Sequence, residues 1–276
     1  MRREDVIDFF KLRRFTANPW EIVRFRKQQS RGEELAVRFL SEPPLWLEGG
    51  RADFHMFHRI FLRDEYRLGG IAASALPCVV DLGANIGVFA ARAAQVACRV
   101  LAFEPNPINF QRLARNTESR LQVGIEQSAV AGKSGSLRLY RPRGPGMSGS
   151  YSSFSTGNEQ LSDEYDDVSA VTLDRIFAEH EIASCSLLKM DIEGQEYEVL
   201  YAASDATLGR IQRIHGEYHD VKPATDDTRI EALQGFLAGK GFRVEVIRHR
   251  RKPNHGMFYA TRPPVLSEPG ASSNSR

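Results

Sequence analysis

An α/β fold, built on a mostly parallel seven-stranded sheet with helices on both faces, is what this 276-residue sequence predicts. Three observations carry the prediction. From about residue 61 to 262, short apolar runs alternate with helix-period stretches, the pattern of strands joined by crossover helices. The last two runs, Phe242 to Ile247 and Gly256 to Ala260, have no helix between them and read as a closing hairpin. The flanks differ: residues 1–60 are charged and aromatic with helical spacing, and 263–276 is rich in Pro, Ser, Gly and Asn. The expected organisation is therefore an N-terminal helical extension over 1–60, a main domain over 61–262 and a disordered tail over 263–276.

The elements follow in order. Asn18-Pro19-Trp20-Glu21 reads as a helix start, with Asn18 as N-cap and Pro19 at the first helical position. Pro43-Pro44 breaks whatever precedes it. Cys78 to Asp81 is the first strand of the main domain and Arg99 to Glu104 the second. Gln127 to Val130 reads as a short third, Ser186 to Asp191 as a fourth and Ile211 to Tyr218 as a fifth. Helical patterns cover Gly87 to Val96, Pro107 to Asn116, Leu173 to His180, Glu196 to Ala203 and Thr228 to Lys240. Arg141 to Gly157, rich in Gly, Pro and Ser, reads as a long loop, with Tyr151 and Phe154 as candidates for a substrate lid.

Bulk properties narrow the function. A net charge of +2 gives no whole-chain field that demands nucleic acid. Cys78, Cys98 and Cys185 form no C-x-x-C pair, which argues against a zinc site or a disulfide framework and for a reducing, cytoplasmic setting. No apolar run approaches a membrane span, and no secretory signal is evident. The first 31 residues carry nine Lys or Arg against four Asp or Glu. Contact with an anionic membrane surface is one reading of that bias, and a helix packed on the domain is the favoured one. Arg248 to Lys252 is a basic run between the last two strands and reads as a solvated hairpin loop.

Asp81-Leu82-Gly83-Ala84-Asn85-Ile86-Gly87 follows the first strand and opens a helix. Gly83 and Gly87 permit a tight turn and close approach of a ligand to the backbone. A dinucleotide fingerprint needs G-x-G-x-x-G, but Asn85 stands where the middle glycine belongs. Asp81 repels a phosphate and suits a ligand carrying an ammonium or sulfonium. S-adenosylmethionine (SAM) carries both. Glu104 ends the second strand, about 20 positions on, where a carboxylate accepts hydrogen bonds from ribose hydroxyls. Pro105 and Asn106 follow it at the same strand end, and Pro107 can start the next helix.

Together DLGANIG (81–87), AFEPNP (102–107), SAVAG (128–132) and LLKMDIEGQEYEVL (187–200) resemble the FkbM family of SAM-dependent methyltransferases, from about Phe61 to Ala260. The resemblance implies the Rossmann-like class I methyltransferase fold and O-methylation of hydroxyls on a sugar or a glycosylated or polyketide-type metabolite. It also implies that Asp81, Gly83, Asn85, Gly87 and Glu104 line the SAM site, with Ser128 and Ala129 beside the adenine. Residues 1–60 lie outside it and are left to substrate recognition or homo-oligomer contacts.

Methyl transfer to a hydroxyl needs a group that takes the hydroxyl proton. Lys189 and Asp191 are two apart on the fourth strand, as are Glu217 and His219 on the fifth. If the strands are neighbours, Asp191, Glu193, Glu217 and His219 converge beside the 81–87 loop. Asp191 is the expected group at the methyl acceptor, assisted by Glu217 or His219. An Asp-Glu-His set is also of the type that holds Mg²⁺. The plainer reading has Glu193 capping the next helix, Lys189 paired with a carboxylate and His219 solvated. Asp64-Glu65-Tyr66, before the first strand, is placed to fold over the SAM pocket. Two other functions fit the fold: an NAD(P)-dependent oxidoreductase, against which the glycine pattern counts, and a non-catalytic SAM-binding regulator.

Overall fold

The computed structural model describes residues 3–26, 33–48, 51–142, 161–220, 228–250 and 252–263. The lid residues Tyr151 and Phe154 and the tail from 264 lie outside them.

The N-terminal segment is not helical throughout. Helices α1 (Arg3–Leu12) and α2 (Pro19–Phe25) are followed by a strand pair, β1 (Glu34–Val37) and β2 (Leu45–Glu48). Helix α3 (Arg51–Phe57) then runs into a π-helical turn, His58–Leu62. Helix α2 starts at Pro19 as predicted, but the Asn18 side chain does not cap it. Its Nδ2 donates to Ala36 O (2.7 Å) and Glu21 Oε2 (2.9 Å), and its Oδ1 accepts from Arg38 N (2.9 Å). The returning strand brings backbone partners to the amide that no isolated helix start offers.

The main sheet comprises β3 (Val79–Leu82), β4 (Val100–Phe103), β5 (Val123–Glu126), β9 (Leu187–Met190), β10 (Arg213–His219), β11 (Arg243–His249) and β12 (Lys252–Thr261). Its order is β11-β12-β10-β9-β3-β4-β5, with β12 antiparallel to both of its neighbours and the remaining pairs parallel. Strands β3, β4 and β9 are buried at every position, as central parallel strands covered on both faces must be. Helices α4 (Val88–Ala93), α5 (Pro107–Thr117), α6 (Leu173–Glu179), α7 (Glu196–Ala202), α8 (Asp205–Gly209) and α9 (Ile230–Gly239) fill the connections.

Two expectations fail here. The third strand of the main sheet is β5, not Gln127 to Val130. Residues Ala129–Val130 form β6, in a separate three-stranded sheet with β7 (Gly135–Pro142) and β8 (Leu161–Val171). Strand β5 is half-buried and carries Gly124 against Leu101, so it lacks the apolar run that marks its neighbours. The loop expected from Arg141 begins inside β7, and the rest of that range lies outside the described residues. Arg141 pairs there with Asp166 across the hairpin, so charge stands where the sequence suggested a loop.

Strand periodicity divides the core. Val79, Val100 and Leu187 join one hydrophobic cluster with Phe89 and with Leu12, Ile22 and Phe57 of the N-terminal segment. Their neighbours Val80, Leu101 and Leu188 join the opposite cluster, with Phe177, Leu200 and Leu237. The N-terminal segment thus covers one face of the sheet. Strand order reverses between β3 and β9, so the carboxyl ends of these two strands frame the crevice where such sheets bind ligands.

Candidate active site

The loop after β3 is a tight left-handed turn. Gly83, Asn85 and Gly87 have φ of +75°, +51° and +85°. Only glycine fits the first of these: a Cβ on Gly83 would lie 2.0 Å from Asp191 O. Gly83 N and Ala84 N both donate to Phe103 O (3.0 and 2.9 Å), which ties the loop to the end of β4. Asn85 accepts the left-handed conformation because its Oδ1 takes the N–H of Ile86 at 2.8 Å.

Glu104 completes this frame. Its Oε2 accepts from Asn85 N (2.8 Å) and its Oε1 from Asn106 N (2.9 Å). Burial pushes the carboxyl up to about 7, against the pull of these two N–H groups. Asn106 caps α5 through Ile108 N and Asn109 N, with Pro107 in the first turn, so Glu104, Pro105 and Asn106 are fixed at one strand end. Glu104 N donates to Glu126 O (3.1 Å), and Ser128 Oγ donates to Glu126 Oε1 (3.0 Å). Ser128 and Ala129, both buried, thus lie one strand further along from Glu104. The structure brings the 81–87 loop, Glu104 and Asn106 together, with Ser128 at their edge.

Asp81 has a partner that changes its role. It is fully buried beside Lys189, whose Nζ lies 2.9 Å from Asp81 Oδ1 and donates to Gly83 O at 2.7 Å. The Asp81 charge is therefore balanced inside the protein, and the pair clamps the turn from below. Burial still raises the Asp81 carboxyl, with Lys189 opposing. Asp81 Oδ2 has no hydrogen-bond partner among the described residues.

Asp191, Glu217 and His219 converge, each offering an atom within 4.8 Å of the others. Their environments differ. Burial would raise the Glu217 carboxyl, but Arg59 and His219 outweigh it and hold it below the ordinary range. Arg59 Nη2 donates to Glu217 Oε2 at 2.7 Å. Burial and the Glu217 charge push the Asp191 carboxyl up, against Lys189, His219 and Arg59. No hydrogen bond to the Asp191 carboxylate is found among the described residues. Burial opposes a charged His219, but Glu196 and Glu193 prevail and raise it well above its ordinary value. His219 Nδ1 meets Glu196 Oε1 at 3.1 Å, and its Nε2 lies 3.7 Å from Glu193 Oε2.

Two of the plainer readings are thereby corrected. His219 is not solvated, since Glu196 reaches it from α7. Glu193 does not cap that helix: it sits in the preceding loop with φ +52°, and Gln195 occupies the N-cap position. The third holds, because Lys189 does pair with a carboxylate. Tyr66 is buried edge-on against Phe89 with ring centroids 5.0 Å apart, and its ring lies 5.9 Å from Lys189 Nζ, which itself donates to Gly83 O of the loop.

Two groups in the site escaped sequence reasoning. Glu196 is fully buried, accepts from Ile192 N and Gly194 N (both 3.0 Å), and so holds the post-β9 loop and His219 together. Its signal was a glutamate just after Gly194, opening an apolar helix. Arg59 lies 158 positions from Glu217, and nothing local announces it.

The family model described as the methyltransferase FkbM domain matches residues 81–244. The 31-O-demethyl-FK506 methyltransferase FkbM of Streptomyces tacrolimicus is 30% identical over 225 residues, 72% of this chain and 84% of that protein. The hexuronic acid methyltransferase AglP of Haloferax volcanii is 25% identical over 58% of this chain and 69% of that protein. A solved FkbM methyltransferase from Methylobacillus flagellatus aligns over 93% of this chain and 59% of that one, with TM-score 0.47 and 14% identity. The family-model match over residues 81–244 and the 30% identity to the Streptomyces enzyme lead to one conclusion: the chain belongs to the FkbM family of SAM-dependent methyltransferases.

Proposed function

We propose that this chain is an O-methyltransferase that acts on a hydroxyl of a small acceptor, a sugar or a glycosylated or polyketide-type metabolite, with Asp191 receiving the hydroxyl proton. The observation that carries the proposal is the placement of Asp191. Its main chain packs against Gly83 of the cofactor loop, while its carboxylate faces Glu217 and His219 with no hydrogen bond of its own among the described residues. A carboxylate raised above its ordinary range and free to accept is suited to general-base work.

SAM, when bound, supplies an electrophilic methyl group on its sulfonium. The residues fit that cofactor in two respects. Two backbone N–H groups and the Asn109 side chain donate to the Glu104 carboxylate, which keeps a lone-pair position for a ribose hydroxyl. The turn, left-handed at Gly83, Asn85 and Gly87 with Ala84 between them, offers two positions without a side chain for close approach of the ligand to the backbone. In this reading Pro105 and Asn106 hold Glu104 in place, Ser128 and Ala129 border the adenine, and Asp81 acts through Lys189 rather than by direct contact. His219, kept charged by Glu196, stabilises the ionised Asp191, and Glu217 orients the acceptor. Proton and methyl would balance: with SAM bound, the methyl would leave its sulfonium for the hydroxyl oxygen, giving S-adenosylhomocysteine and a methyl ether, while the hydroxyl proton passes to Asp191.

The relatives named above act, by their names, on 31-O-demethyl-FK506 and on a hexuronic acid, which supports a small-molecule acceptor rather than nucleic acid. Family membership removes the oxidoreductase alternative. We place the enzyme in the cytoplasm, supported by its three free cysteines. Among the described residues no helix is long and apolar enough to cross a membrane. The test is transfer of isotopic methyl from SAM into a metabolite extract of the host, followed by NMR of the labelled product. A methyl ether supports the proposal. A methyl on nitrogen or carbon contradicts the hydroxyl acceptor, and SAM binding without any product points to the non-catalytic regulator.

A further inference from the structure

We propose that Arg59, supplied by the N-terminal segment, is a positioning residue of the acceptor site that fixes Glu217 beside Asp191 and leaves one Glu217 oxygen to hold the acceptor. The inference rests on the reading of Asp191 and Glu217 given above.

The geometry is a chain of two ion pairs. The Arg59 guanidinium donates through Nε to Glu65 and through Nη2 to Glu217 Oε2. All three side chains are mostly buried, with 26%, 22% and 20% exposure for Arg59, Glu65 and Glu217. Glu65 is anchored by its own backbone: its N–H donates to Arg59 O (3.1 Å) and its carbonyl accepts from Tyr259 Oη (2.8 Å). Arg59 and Glu65 therefore form a fixed unit at the π-helical turn, a helix irregularity found often at functional sites. Glu217 is the end of the chain that meets the site.

Glu217 alone would be poorly placed. Its carboxylate lies next to Asp191, and two adjacent carboxylates repel. The planar guanidinium, fixed at its far side by Glu65, holds one Glu217 oxygen in a set direction. The other oxygen, Oε1, has no hydrogen-bond partner among the described residues. The Glu217 carboxylate offers an oxygen within 4.8 Å of one from Asp191. A neutral, hydroxyl-bearing acceptor can donate to it while a second hydroxyl meets Asp191. Segment 1–60, outside the matched family region, thus contributes a residue to the specificity of the site.

The test is a double-mutant cycle with R59M, E217Q and R59M/E217Q, using labelled SAM and a dilution series of host metabolite extract as the acceptor pool. Binding of S-adenosylhomocysteine and the melting temperature serve as folding controls. R59M should lower methyl transfer at limiting extract by roughly 10- to 100-fold, by weakening acceptor saturation more than the maximal rate, with cofactor affinity unchanged. E217Q should do the same, and the double variant should be no worse than the more damaged single one. R59K keeps the charge but not the fork and should be intermediate; it also stands in if R59M fails to fold. Wild-type behaviour of R59M, or losses that multiply in the double variant, would overturn the role of Arg59. Wild-type behaviour of E217Q would instead overturn the acceptor role of Glu217 on which the inference rests.

Discussion

Glu104→Gln tests the cofactor half of the site through a proton. The Glu104 carboxyl is pushed up to about 7 by burial, from an ordinary value near 4.5. Between those two values the folded protein holds a proton that the unfolded chain has released. Stability therefore falls as pH rises through this window, by about 3 kcal/mol in all, from 1.36 kcal/mol per pH unit. Ribose hydroxyls that donate to the carboxylate favour its ionised form and offset this cost. SAM binding at pH 6.5 should then release roughly three-quarters of a proton, the fraction still bound when the titration midpoint is about 7. Calorimetry in two buffers of different ionisation enthalpy measures that release directly. Glu104→Gln should abolish it. The amide also puts an NH₂ against the N–H of Asn85 or Asn106, so SAM affinity should fall by about 1.5–3 kcal/mol, roughly 10- to 150-fold. Unchanged affinity and unchanged proton release in a folded variant would remove Glu104 from the cofactor site.

Three further outcomes follow from the same contacts. Gly83→Ala must place a Cβ 2.0 Å from Asp191 O at a φ of +75°, so the turn has to move; SAM binding should be lost and thermal unfolding should come several degrees earlier. Lys189→Met strands the Asp81 carboxylate without its countercharge, which should cost about 3–5 kcal/mol in urea unfolding at pH 7 and less at pH 5, where Asp81 can take a proton. EDTA should leave turnover unchanged, because Glu217 and His219 already have Arg59 and Glu196 as partners; activity lost to EDTA and restored by Mg²⁺ would show that Asp191, Glu217 and His219 hold a metal.

The parts legible in sequence were those where one local signal matched one structural need. β3, β4 and β9 are apolar runs broken only by the paired Asp81 and Lys189, because both faces are covered, and the glycine turn is marked by residues that left-handed backbone favours. The position of Asp191 beside that turn followed from strand adjacency. β5 and the β7–β8 hairpin were not legible, because Gly124 and the charged pair of Arg141 with Asp166 replace the apolar pattern with packing and pairing that only the partner strand explains. Asn18 and Asp81 were placed correctly in chain order, yet their side chains serve partners from elsewhere: Ala36 and Arg38 for one, Lys189 for the other. The same limit hid Arg59. A guanidinium that reaches the site from the N-terminal segment is set by tertiary packing of the sheet face, and no spacing rule connects it to Glu217.

The central claim is that Asp191 takes the acceptor proton, and Asp191→Asn tests it most directly because the amide keeps the shape and removes the base. The measurement is the rate of methyl transfer from SAM to the labelled acceptor, as a function of pH, with S-adenosylhomocysteine affinity measured alongside. The wild-type rate should rise with pH as the Asp191–Glu217 pair loses its last proton, with a midpoint above the ordinary carboxylate range because burial and Glu217 both oppose the second charge. Asp191→Asn should fall by about 100-fold or more, the scale of a positioned acid–base group, and should lose that acid limb while binding the cofactor as before. Near-normal turnover of the folded variant, or an acid limb that survives the substitution, would contradict the account.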